Sequence, residues 1–180
     1  MADDKTRFNE ISNELNSSNS DRGVAVLGGG LVEGQLQRLL LHALVKSKDV
    51  SRFIKRATLS NLQTLGLAVG ILPPDLYSDL RAISRIRNNF AHKVEVVTFD
   101  DHLVAGLIKG LIAPKRFPEI SGGPMPLSEG KFAKTIDELP LRLQFICGVA
   151  STSLTLEHLE NEIRPFAVSK RFYVSPNKDA

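Results

Sequence analysis

The stretch PPDLYSDLRAISRIRNNFAH, Pro73 to His92, decides how this chain is read. Prolines are tolerated in the first turn of a helix, so Pro73-Pro74-Asp75 reads as a start. Leu76, Leu80, Ile83 and Phe90 then recur at helical spacing. Projected with Leu76 at zero, Leu80 falls at about 40°, Ile83 at about −20° and Phe90 at about −40°. Arg81, Arg85, Asn88 and His92 gather between about 120° and 180°, an ordinary polar face. Arg87 falls at about 20°, in the middle of the apolar stripe. A guanidinium aimed at a core keeps its proton, so it needs a carboxylate or several carbonyls. Without one, the desolvation penalty goes unmet. Glu33, in the most apolar segment of the chain, is the expected partner.

Other helices follow on both sides. Asp21 reads as an N-cap, and the run to Val45 becomes apolar nearly all round, the pattern of a central helix. Gly28-Gly29-Gly30 inside it weakens the helix, which points to close approach by a neighbouring backbone. A phosphate-binding loop is the weaker reading, because no Lys-Ser/Thr follows and no strand precedes. Residues 46 to 52 read as a connection. Ala57 to Val69 reads as a helix stopped by Gly70. Thr98-Phe99-Asp100-Asp101 opens another that reaches Leu111 or Ile112. Pro114 to Pro126 holds four of the nine prolines and is a loop. Leu127 to Ala133 is a short turn or an edge ribbon, and Pro140 to Leu159 a final long helix. The expectation is an all-α bundle of about five main helices. Residues 1–20 form a mobile arm or docking strap, 21–163 the helical domain, and 164–180 a basic tail with Phe166, Phe172 and Tyr173 as anchors.

Composition excludes several classes. Apolar residues make up 42% of the 180 and charged ones 24%, a globular balance. The one cysteine, Cys147, rules out an intramolecular disulfide and a thiolate zinc cluster, and reads as a small buried hydrophobe. No secretory signal opens the chain, and no run reaches the roughly 18 apolar residues of a membrane span. A cytoplasmic protein is expected, with no membrane contact, cofactor or metal. The net charge of +3 is mild, and Lys and Arg are scattered, densest over Lys46–Arg56 and Arg81–Lys93. Nothing argues for direct sequence-specific DNA binding. His42 and His102 lack a metal-ligand neighbour one turn away, and His158 reads as a solvated position.

Arg85 to His92 supports two accounts. In the structural one, Arg87 locks two helices together and His92 sits in the last turn near the terminal carbonyls. In the catalytic one, Asn88 orients His92 from one turn away. The imidazole then moves a proton during attack of an RNA 2′-hydroxyl, and Arg87 stabilises the charged phosphorane. No metal is needed. Arg87 and His92 lie about 140° apart on a regular helix, so this requires a helix break near Phe90 or a second chain.

Ile86-Arg87-Asn88-Asn89-Phe90-Ala91-His92 resembles the helix-end motif of the HEPN superfamily, which includes metal-independent ribonucleases. A wider pattern is similar to the mannitol operon repressor (MltR-like) family. It comprises Asp21-Arg22-Gly23-Val24-Ala25, Leu65 to Leu72, Asp79-Leu80 to His92, Phe99-Asp100-Asp101 and Arg142-Leu143-Gln144-Phe145. That resemblance implies an all-helical transcriptional regulator acting through protein partners. The HEPN likeness implies a homodimer with the motif near its interface. The alternative it implies is an endoribonuclease using Arg87, Asn88 and His92, with RNA as ligand.

Overall fold

The computed structural model describes residues 4–93, 96–116, 125–128 and 131–166. Seven α-helices lie among them: α1 (Asp4–Asn16), α2 (Asp21–Ala43), α3 (Lys48–Arg56), α4 (Leu59–Ala68), α5 (Pro74–His92), α6 (His102–Lys109) and α7 (Leu141–Glu162). Short 3-10 turns occupy Ala113–Arg116 and Ile136–Glu138. Two small strands, β1 (Met125–Ser128) and β2 (Lys131–Ala133), pair antiparallel with Met125 opposite Ala133. Of the two readings for Leu127 to Ala133, the ribbon holds. Residues 117–124 of the proline-rich loop, and Phe172 and Tyr173 of the tail, lie outside the described residues.

The fold is all-helical, and α2 is its axis. Residue partners along α2 give the directions of its neighbours. Arg22 meets Lys93 and Gly29 meets Arg87, so α5 runs antiparallel to α2. Asp21 meets Arg142, Gly28 meets Val149 and Gln35 meets Glu157, so α7 runs parallel to it. Leu36, Leu39 and Leu40 of α2, Leu80 and Ile83 of α5, and Phe145 and Val149 of α7 are fully buried between them. Each such side chain contributes about 1.5–3 kcal/mol of burial. An aromatic row closes one end: Phe90, Phe99 and Phe145 have ring centroids 5.0 and 5.1 Å apart. At the other end Gln63 of α4 donates to the Leu80 carbonyl (2.9 Å). Gly70 takes φ +73°, which lets the Ile71 and Leu72 amides return to the Gly66 carbonyl and ends α4.

The structure corrects several expectations. Of the two readings for residues 1–20, the strap fits better than the mobile arm: from Asp4 the segment is helix α1, and Phe8, Ile11 and Leu15 make one apolar stripe that docks on the core. Arg7 fixes it further, its guanidinium 3.0 Å from Glu157 of α7 and its pKa raised by that bond. The connection over 46–52 largely belongs to α3, capped by Ser47, whose Oγ accepts from the Val50 amide (3.1 Å). Ser20, not Asp21, caps α2: its Oγ accepts from the Gly23 amide (3.0 Å). That frees Asp21 to accept from Arg142 (2.8 Å) and from the Phe99 amide (3.3 Å). His158 is exposed, as expected, and its Nε2 lies 3.0 Å from Asp4 at the surface. Cys147 is buried, and desolvation pushes its thiol pKa up to about 12.

Candidate interaction face

Three consecutive glycines of α2 meet three different surroundings, because each residue turns the helix by about 100°. A Cβ on Gly28 would stand 3.0 Å from Val149 and 3.3 Å from Phe145, on the α7 side. One on Gly29 would fall 2.8 Å from Arg87 Cβ and 2.6 Å from its Cγ, on the α5 side. One on Gly30 would meet nothing within 4 Å. The neighbours at Gly28 and Gly29 are side chains, not the backbone the sequence reading expected. Gly29 makes room for the aliphatic stem of Arg87.

That stem explains where the misplaced arginine goes. It crosses α2 at Gly29, and its Nη2 reaches 3.7 Å from Glu33 Oε2, one turn further along. The expectation of a guanidinium inside the core is corrected, since the Arg87 side chain keeps 34% of its exposure. Ile86, fully buried, occupies the core side of α5 in its place. The apolar stripe is therefore centred nearer Phe90 than Leu76 and Leu80 alone suggest. Arg87 Nε is nonetheless buried without a hydrogen-bond partner.

Asn88 and His92 are both exposed, and no hydrogen bond joins them. Asn89 spends its amide on the Arg85 carbonyl (2.8 Å). Helix α5 continues unbroken to His92, with the Lys93 amide still bonded to the Asn89 carbonyl (3.4 Å). So one chain holds Arg87 against α2 and turns His92 to another side of the same regular helix. Arg81 lies over the Tyr77 ring (5.8 Å to its centroid) and lines a shallow groove of about 410 Å³ between α5 and α6 with Arg85.

Past Arg87, the outer side of α2 is uncovered. Val26 (37% exposed), Leu27 (53%), Gly30 and Gly34 fall within about 100° on it, with Leu31 and Leu41 partly buried along its length. Gly34, like Gly30, has open space over it. Its borders are charged. On the α5 side stand the Glu33–Arg87 pair and Arg22, which donates to the Lys93 carbonyl (2.6 Å). On the α7 side Arg38 lies 4.0 Å from Glu160. Arg22 has no carboxylate partner among the described residues, so the rim is net positive. An apolar ridge with small residues at its crest and cations at its edge admits another element to close backbone approach.

Sequence reasoning passed over Asp21–Arg142 and Asp79. Asp79 is 2% exposed, and its two oxygens accept from the Ile112 (2.8 Å) and Ala113 (2.6 Å) amides. A signal existed, since Asp79 follows Leu76 by three residues and so shares its helix side.

No protein-family model matches the sequence, and no curated protein matches it. Among solved structures, a chain in the X-ray structure of the MtlR–HPr complex from Escherichia coli is similar to this one. Their TM-score is 0.52 at 17% identity, over 87% of this chain and 97% of that one. The likeness is one of fold. Among the described residues, no helix is long and apolar enough to cross a membrane.

Proposed function

We propose that this chain is a bacterial regulatory domain of the mannitol operon repressor kind, working in the cytoplasm by docking a protein partner rather than by catalysis. The uncovered apolar ridge of α2, from Val26 to Gly34, carries the reading. Its occupant is a partner helix with an acidic flank, which would bury its apolar side on Leu27 and face Arg22 with a carboxylate. The similar fold belongs to MtlR, solved with HPr, so HPr is the first partner to test.

Calorimetric titration of the full chain with HPr tests this. Leu27→Glu puts a charge at the centre of the ridge and is expected to weaken binding at least about a hundredfold. Binding that survives both Leu27→Glu and Leu31→Glu would remove the ridge as the docking face. A homodimer dissolved by Leu27→Glu would assign the ridge to a second copy instead. The ribonuclease alternative needs Arg87 and His92 together, which α5, unbroken to His92, does not supply within one chain. RNA ends carrying 2′,3′-cyclic phosphate with the wild type, and none with His92→Ala, would reinstate it.

A further inference from the structure

On the other side of α5, away from the α2 ridge, a cavity of about 480 Å³ opens. It lies between the start of α1, the first turns of α5, the turn at Ala113 and the second half of α7. Three carboxylates line it, Asp4, Asp75 and Asp79, and no lysine or arginine does among the described residues. Asp4 is engaged with His158 at 3.0 Å. Asp75 is exposed on the first turn of α5 and forms no ion pair. Asp79 is deeply buried, and each of its oxygens, having accepted one backbone amide, keeps a free lone pair. Burial, with Asp75 nearby, raises its pKa, against the two amides and the more distant Lys115, which lower it.

Ser151 supplies a separate observation. It is 1% exposed and lines the cavity, yet its Oγ has no hydrogen-bond partner. A buried hydroxyl left unmet is unfavourable, and a ligand in the hollow would meet it. Leu76 and Leu154 give the walls an apolar part that suits an alkyl chain.

We infer that this cavity binds a small aliphatic primary ammonium compound, with the ammonium donating to the free carboxylates and to Ser151 Oγ, and the alkyl stem between Leu76 and Leu154. Such a ligand joins α1 to α5 and α7. It would therefore act as an effector that firms up the docking of α1, whatever occupies the α2 ridge.

The test measures melting temperature and calorimetric binding of the full chain with 1,4-diaminobutane and 4-amino-1-butanol. Matched 1,4-butanediol and butyrate remove or reverse the charge, and Nα-acetyl-lysine amide, its ε-ammonium free, represents an ammonium presented by a protein. The amines are expected to bind and raise the melting temperature, while the diol and butyrate do neither. Asp75→Asn, an exposed change, should weaken amine binding by about tenfold, and Ser151→Leu, which fills the hollow, should abolish it. If Ser151→Leu lowers the stability of the free chain, Asp75→Asn alone decides. Binding of the lysine amide alone keeps the ammonium site and assigns its ligand to a protein. A diol response equal to the amine response, or amine binding unchanged in Asp75→Asn, overturns the inference.

Discussion

The two sides of α2 carry the same residue type to opposite ends. Gly28 and Gly29 are small because α7 and the Arg87 stem already fill the space beside them. Gly30 and Gly34 are small beside nothing in this chain. In the first pair the missing side chain is a packing requirement. In the second it is a cost of roughly 1 kcal/mol each in helix propensity, with no return inside the monomer. A helix that keeps such glycines on an uncovered apolar side is arranged for something outside itself.

Substitutions sharpen or break that contrast. The largest effect is expected at Gly29→Val, whose side chain would collide with Arg87 Cβ and Cγ. It should cost about 3 kcal/mol in urea denaturation, and a loss under about 1 kcal/mol would mean the α2–α5 seam can part. Arg142→Ala comes next. It removes the 2.8 Å bond to Asp21 and a second bond to the Ser18 carbonyl, both half-buried. About 2 kcal/mol of stability should go with them.

Gly30→Ala and Gly34→Ala should reverse the sign. Each is expected to raise stability by about 0.5–1 kcal/mol while weakening partner binding, read by the same denaturation and by calorimetry. Stabilisation with unchanged binding would leave the ridge without a purpose. Arg87→Met should change least, within about 0.5 kcal/mol. The half-exposed pair at 3.7 Å gains little, and the substitution removes an unpartnered buried Nε. A double-mutant cycle with Glu33→Gln reads the coupling directly.

Much of this was legible before any coordinates. The limits of α5 follow from Pro74 and a strict apolar spacing, and α4 ends where Gly70 alone can turn. Helix α3 was harder, since Ile54 is its one buried residue and the rest of its charged pattern matches a connection. Helix α1 reads from sequence as no more than an arm or strap, because a few apolar side chains among polar neighbours hold a short helix only when a groove receives them. The uncovered side of α2 could not be read at all. An apolar side looks the same in sequence whether the chain covers it or leaves it for a partner. Asp79 was legible and overlooked. A carboxylate on an apolar stripe asks for donors, and the amides of Ile112 and Ala113 lie more than thirty residues away, beyond any local pattern.

The parallel pairing of α2 with α7 also bears on how the protein is born. Parallel neighbours need a long crossover, and here it runs from Ala43 to Leu141, through every helix between. During synthesis α2 emerges early, with Gly28 and Gln35 prepared for a surface that comes much later. Contacts so distant in sequence close slowly and leave greasy intermediates waiting. A nascent chain that has not yet released α7 would thus hold out α2 with its α7 side bare, attractive to chaperones, until the 22 residues of Leu141–Glu162 dock.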